Sequence, residues 1–145
     1  TIAGNPKKTY LPPKRLSVVP DFDFSPLDES HKRLEAIAWK YEKALTGVKK
    51  GVLSAEKKSQ VNQLLREVEQ AMTRSDGLPR RKWFKNMIYA PGFYTGYGVK
   101  TLPGIREGLE ERNWDETHFY ILEVAKALDR AAAKINAAAD ILKAS

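Results

Sequence analysis

From Leu27 to Leu142 the apolar residues of this chain return at intervals of three and four, in runs bounded by serine, glycine and proline. The first run, Leu27, Leu34, Ile37, Ala38, Tyr41, Ala44 and Leu45, forms one stripe on a helix. It predicts a helix that opens at Ser25, with Pro26 at the first helical position and Asp28 answering the free amides of the first turn. Gly47 is expected to stop it in the left-handed conformation. After a basic turn at Lys49, Lys50 and Gly51 comes a second run, Val61, Leu64, Leu65, Val68, Ala71 and Met72. Ser54 can cap this helix and Ser75-Asp76-Gly77 ends it. Two amphipathic helices joined by so short a loop are expected to pack antiparallel.

Two segments break the period. Thr1 to Phe24 carries Pro6, Pro12, Pro13 and Pro20, which exclude a sustained helix and predict an extended arm. Within it, Leu16 to Val19 is a candidate short strand or tether, and Phe22 and Phe24 are anchors on either side of Asp23. Leu78 to Pro103 combines Pro79, Pro91 and Pro103 with Gly92, Gly96 and Gly98 and six aromatics: Trp83, Phe84, Tyr89, Phe93, Tyr94 and Tyr97. Thr101 can then cap a short helix through Ile105 and Leu109. Asp115 opens the longest one, whose stripe is Ile121, Val124, Ala125, Leu128, Ala132, Ile135, Ala139 and Leu142. The expected fold is all-α: a bundle of about four helices with a long irregular crossover, residues 25–145, preceded by an arm or linker from a preceding domain, residues 1–24.

With 42% hydrophobic and 30% charged residues the chain has the balance of a globular domain. No apolar stretch approaches the roughly 20 residues that cross a bilayer, so this segment is not expected to insert in a membrane. The absence of cysteine removes a disulfide framework and a thiol nucleophile. A net charge of +7 permits an anionic partner, but the positive residues are interspersed with negative ones, as on solvated helix faces. Thr1-Ile2-Ala3-Gly4 reads like the middle of a longer protein.

Catalytic chemistry is sparse. His31 and His118 stand on different helices without metal-ligand spacing. The crossover glycines lack the strand, helix and Lys-Ser or Lys-Thr ending of a phosphate loop. Glu110, Glu111, Asp115 and Glu116 can pair as acid and base, or can serve the amino end of the last helix. Arg80, Arg81, Lys82 and Lys85 beside Trp83 and Phe84 can stack and neutralise a single-stranded nucleic acid, or the rings can anchor a loop.

Gly77-Leu78-Pro79, Ile88-Tyr89-Ala90-Pro91, Tyr97, Leu102-Pro103-Gly104-Ile105 and the alanine-rich last helix together resemble the carboxy-terminal helical domain shared by transferrin receptors and glutamate carboxypeptidase II. The helix that follows Phe22-Asp23-Phe24-Ser25 is similar to that domain's first helix. This transferrin receptor-like dimerisation domain implies a homodimer, with Leu128, Ala132, Ile135, Ala139 and Leu142 as a dimer or packing face. It implies no catalytic residue and no cofactor in this segment, zinc being held by the catalytic domain of the parent protein. The loop 91–103 would complete that domain's substrate pocket. Counted without a gap between Pro91 and Pro103, the pocket tyrosine of the carboxypeptidases falls on Tyr97 and their lysine on Gly96. Losing that lysine removes a charge-assisted contact worth about 1.5 to 3 kcal/mol to a substrate side-chain carboxylate, which Lys100 is placed to restore in part.

The resemblance further implies two partners, a second copy and the parent's catalytic domain, with no nucleic acid. It implies a membrane-anchored parent in the extracellular space or in the vacuolar or secretory lumen. Two other readings stay open: the same domain in a non-catalytic receptor or sorting homologue, and a basic helical nucleic-acid-binding domain using Arg80 to Lys85.

Overall fold

The computed structural model describes residues 14–48 and 53–144. Four helices and one short hairpin follow in order: α1 (Ser25–Gly47), α2 (Ala55–Ala71), β1 (Tyr89–Pro91), β2 (Val99–Thr101), α3 (Pro103–Glu111) and α4 (Trp114–Lys143). The architecture is the helical bundle expected, and the irregular crossover contains an antiparallel pair in the register Tyr89–Thr101, Ala90–Lys100 and Pro91–Val99.

All three other helices pack on α4. Polar pairs fix their directions. Arg33 forks onto Asp129 with two bonds of 3.0 Å, and Lys40 Nζ donates to Asn136 Oδ1 and Asp140 Oδ1 at 2.6 Å each, so α1 runs parallel to α4. Lys134 meets Glu67 at 2.6 Å while Lys57 Nζ donates to the Ala144 carbonyl at 2.8 Å, so α2 runs antiparallel. Consequently α1 and α2 run antiparallel to each other, as expected, but they flank α4 and make little contact with one another, instead of packing as a pair. The reason lies in α4: buried Ala125, Ala127, Ala131, Ala132, Ala138 and Ala139 let a helix approach from either side, and α4 takes up both apolar stripes.

The core has two parts. Leu78, Met87, Ala90, Ile105, Tyr120, Ile121, Val124 and Ala127 pack under the crossover and α3. Ala44, Val61, Ala138, Ala139 and Leu142 pack where α1 ends and α2 begins. Glycines bring α3 onto α4: a Cβ at Gly104 would overlap the Tyr120 ring, and one at Gly108 would stand 2.6 Å from Thr117 Oγ1.

Helix ends depart from the sequence reading. At α1 the cap position is Phe24, which offers no side-chain cap, and Asp28 lies in the first turn as expected; the Ser25 amide and hydroxyl both donate to Asp23 Oδ1, at 2.9 and 2.5 Å, and these bonds hold the carboxyl below its ordinary range. Gly47 is not left-handed; the chain leaves through extended Val48. Ser54 caps α2 as expected, accepting from the Lys57 amide at 3.2 Å, but that helix ends at Ala71, before Ser75. Thr101 belongs to β2, and left-handed Leu102 (φ 46°) precedes α3 instead. α4 opens before Asp115, with Asn113 Oδ1 accepting from the Glu116 amide at 3.2 Å.

Ala38 and Leu45 of the first stripe are exposed. In the arm, Leu16, Val18 and Val19 are exposed and form no strand, whereas the Phe22 ring anchors against His118 at 4.8 Å and Trp114 at 5.9 Å. The readings on residues 1–13 and on Lys49, Lys50 and Gly51 lie outside the described residues.

Candidate functional site

The crossover begins with a tight turn. Gly77 adopts φ +70°, where a Cβ would overlap the Lys82 carbonyl, and the Leu78 amide donates to the Phe84 carbonyl at 2.8 Å. Arg80 follows in the left-handed region at φ 61°. This turn sends Arg81 into the domain and leaves Arg80 at its surface. Arg81 Nη2 donates to Glu107 Oε1 at 2.8 Å, and the two side chains are 3% and 0% exposed. Arg80 forks onto Glu116 at 3.1 and 3.0 Å and stands 3.4 Å from Glu111. These carboxylates hold the Arg80 guanidinium above its ordinary range, the hydrogen bonds to Glu116 being the largest cause.

The loop between β1 and β2 is fastened to this network. Glu107 Oε1 also accepts the Phe93 amide at 2.9 Å, and the Phe93 ring lies against both guanidiniums, 5.5 Å from Arg80 and 5.6 Å from Arg81. Inside the loop the Gly92 amide donates to the Gly98 carbonyl at 2.9 Å and the Gly96 amide to the Gly92 carbonyl at 3.0 Å. Gly96, at φ +64°, takes a conformation that a lysine would adopt only under strain. Tyr97 is fully exposed. Tyr94 is exposed too, and Glu111 raises its phenol above the ordinary range. Lys100, by contrast, bonds to Glu110 at 2.5 Å and is largely buried.

The structure thus buries one of the four cations of the basic cluster, Arg81, and pairs Arg80 with Glu116 and Glu111, leaving Lys82, Trp83 and Lys85 exposed. Glu110, Glu111 and Glu116 are ion-pair partners of Lys100 and Arg80, not an acid–base pair. Sequence reasoning missed Arg81–Glu107. A signal for it exists: Glu107 shares a helix face with Gly104 and Gly108, and a carboxylate on a face that packs this closely requires a buried cation. His31 and His118 are exposed, and among the described residues no group of three His, Asp or Glu side chains stands ready for a metal. No described helix is long and apolar enough to cross a membrane.

A second feature lies along α4. Ala132, Ala139 and Leu142 are buried within this chain, whereas Leu128 and Ile135 are half-buried. Ile121, Leu128, Ile135 and Leu142 recur every seven residues and line one edge of the helix. α3 and the crossover cover that edge at Ile121 but stop short of Leu128 and Ile135. On α1, Leu34 is half-buried and Ala38 and Leu45 are exposed.

Comparison with known proteins agrees with this architecture. The transferrin receptor-like dimerisation domain matches residues 22–136. A protein of Arabidopsis thaliana named "Probable glutamate carboxypeptidase LAMP1" is 30% identical over 118 residues, 77% of this chain. One of Arthroderma benhamiae named "Probable glutamate carboxypeptidase" is 27% identical over 124 residues, 86% of this chain. The match spans 17% of the length of each of these relatives. On the match over residues 22–136, the chain belongs to the transferrin receptor-like dimerisation domain family.

Proposed function

We propose that this chain is the self-association domain of a larger glutamate-carboxypeptidase-like zinc peptidase, and that its loop 91–103 completes the substrate pocket of that protein's catalytic domain. The observation that carries the first part is that Leu34, Leu128 and Ile135 are only half-buried and Ala38 and Leu45 are exposed, which we read as one apolar strip on α1 and α4. Helical domains are built from packed layers, and a further layer over these five side chains would complete their burial. A second copy laying the same strip across it supplies that layer by two-fold symmetry. In this reading Ala132, Ala139 and Leu142 belong to the packing beneath the interface, and Leu128 and Ile135 to the interface itself. The zinc and its chemistry belong to the catalytic domain. This chain contributes a loop that is held from inside and carries Tyr97 at its tip as a donor for a substrate carboxylate.

One observation favours the second reading, a receptor or sorting homologue without glutamate-directed activity. Glycine stands at 96, and Lys100 is committed to Glu110, which leaves no cation on the loop to pair with a glutamate side chain.

Sedimentation of the chain across a wide concentration range tests the self-association. The expected result is a dimer of twice 16.4 kDa that the double variant Leu128→Glu/Ile135→Glu converts to a folded monomer. A wild type that stays monomeric throughout, or a variant that still dimerises, sinks the assignment of the strip. In the parent protein, Tyr97→Phe should raise KM for a peptide ending in a free carboxylate; an unchanged KM would remove Tyr97 from the pocket.

A further inference from the structure

A hairpin of three residue pairs is marginal by itself, and the side chains of residues 93–99 are exposed. The hydrogen bonds from Gly92 to Gly98 and from Gly96 to Gly92 are internal to the loop and fix its shape, not its placement. The Phe93 amide is different, because it reaches out of the loop to Glu107 Oε1 at 2.9 Å. Glu107 is itself located by its neighbours Gly104 and Gly108, which seat α3 on Tyr120 and Thr117 of α4.

We propose that Arg81 and Glu107 are positioning residues for the 92–98 loop: the buried pair, rather than the hairpin, sets where Tyr94 and Tyr97 stand. A buried ion pair is a poor source of stability, because desolvation offsets the attraction, and an apolar pair of similar volume serves a core as well. What the pair supplies is direction. Arg81 Nη2 holds Glu107 Oε1 at 2.8 Å, the same oxygen receives the Phe93 amide, and the Phe93 ring is held against the guanidiniums of Arg80 and Arg81. Arg80 is fixed in turn by Glu116. The placement of the loop backbone thus descends from α4 through α3 and Glu107 Oε1 to the Phe93 amide, while Glu111 of the same helix stands against the Tyr94 phenol.

The functional consequence rests on the pocket reading above, but the test does not. Backbone order parameters of Gly92, Phe93 and Gly98 are measured in the wild-type chain, in Glu107→Gln, which keeps an acceptor oxygen, and in Glu107→Leu, which does not. Wild type and Glu107→Gln should read as rigid backbone, about 0.85, and Glu107→Leu should fall below about 0.6 at these amides while those of α4 keep their values. A loop that stays ordered in Glu107→Leu, or that loses order only together with α4, overturns the proposal. Should Glu107→Leu fail to fold, hydrogen exchange in the wild type decides: the Phe93 amide should exchange at least about tenfold more slowly than those of Tyr94 and Thr95, as a bonded amide does, and equal rates refute the tether. A loosened loop in a parent whose KM does not respond would break the pocket reading alone.

Discussion

The same substitution, glycine to alanine, should act with opposite sign at two helical positions, and the contrast tests how closely α3 lies on α4. Alanine is favoured over glycine inside a helix by about 0.5 to 1 kcal/mol wherever its methyl group has room. At Gly47, the last residue of α1, nothing lies within 4 Å of an added Cβ, and φ is not in the left-handed region. Gly47→Ala should therefore stabilise by up to about 0.5 kcal/mol, less than the interior value because helix ends fray. At Gly108 the methyl would stand 2.6 Å from Thr117 Oγ1, 3.1 Å from the Thr117 amide nitrogen and 3.2 Å from its Cα. Comfortable carbon contacts begin near 3.5 Å, so α3 must back away from α4 by several tenths of an ångström.

Two of those atoms are backbone, and Thr117 Oγ1 is itself bonded to the Asn113 carbonyl at 2.9 Å, so the neighbour cannot simply turn aside. Overpacking of this kind costs about 1 to 3 kcal/mol, which offsets the gain in propensity and leaves Gly108→Ala destabilised by up to about 2.5 kcal/mol. Urea unfolding of the two variants checks this: the midpoint should fall for Gly108→Ala and hold or rise for Gly47→Ala, with unchanged slope. A neutral or stabilising Gly108→Ala would refute the close seating of α3, and with it the argument that α3 places Glu107 accurately.

Asn113→Ala should cost about 1 kcal/mol in the same assay, as loss of the α4 cap does, and a neutral result would remove it from that role; Thr101→Ala should cost less than about 0.5 kcal/mol, and a loss near about 1 kcal/mol would restore Thr101 as the cap of α3. Tyr97→Ala should leave stability within about 0.5 kcal/mol, as expected of an exposed residue, and a larger loss would mean that its ring packs on the domain. Acid should loosen the bundle. Asp129, Asp140 and Glu67 are held below their ordinary values of 3.8, 3.8 and 4.5, chiefly by hydrogen bonds from Arg33, Lys40 and Lys134. A lowered folded value means the unfolded chain binds protons first. The stabilisation is therefore complete above the ordinary values and is lost as pH falls through the folded ones. The urea midpoint should be level from about pH 7 to about pH 5 and fall below that, with a smaller fall in high salt because these pairs face solvent; a midpoint level down to about pH 3 would show that they contribute nothing.

The helices were legible in the sequence because their signal is local. Periodicity located all four, and Ser54 and Pro26 stand near the ends they were expected to mark. Periodicity reports which face of a helix is buried, however, and not what buries it, so the stripe Leu34, Ile37, Tyr41 and Ala44 reads the same whether α2 or α4 lies opposite. Two helix starts were misread for a related reason: Thr101 and Asp115 are good cap candidates by residue type, but the backbone path puts Thr101 in β2 and starts α4 one residue before Asp115, with Asn113 as its cap. Tyr97 entered only through resemblance, since an exposed loop tyrosine has no periodic signature. Arg81 was hidden in a run of four cations among which nothing local distinguishes the buried member; the distinguishing residue, Glu107, lies in another element.

What the ionisable residues do also explains why this domain looks chemically bare. Glu107, Glu110, Glu111 and Glu116 are bound to Arg81, Lys100 and Arg80; Asp129 and Asp140 of α4 are bound to α1, and Glu67 of α2 to Lys134 of α4. These seven carboxylates are thereby occupied in fixing one element on another. In the proposed reading, charge is spent on placement within the domain, and apolar or aromatic side chains, Leu45, Leu128, Ile135, Tyr94 and Tyr97, are left at least partly open to a partner.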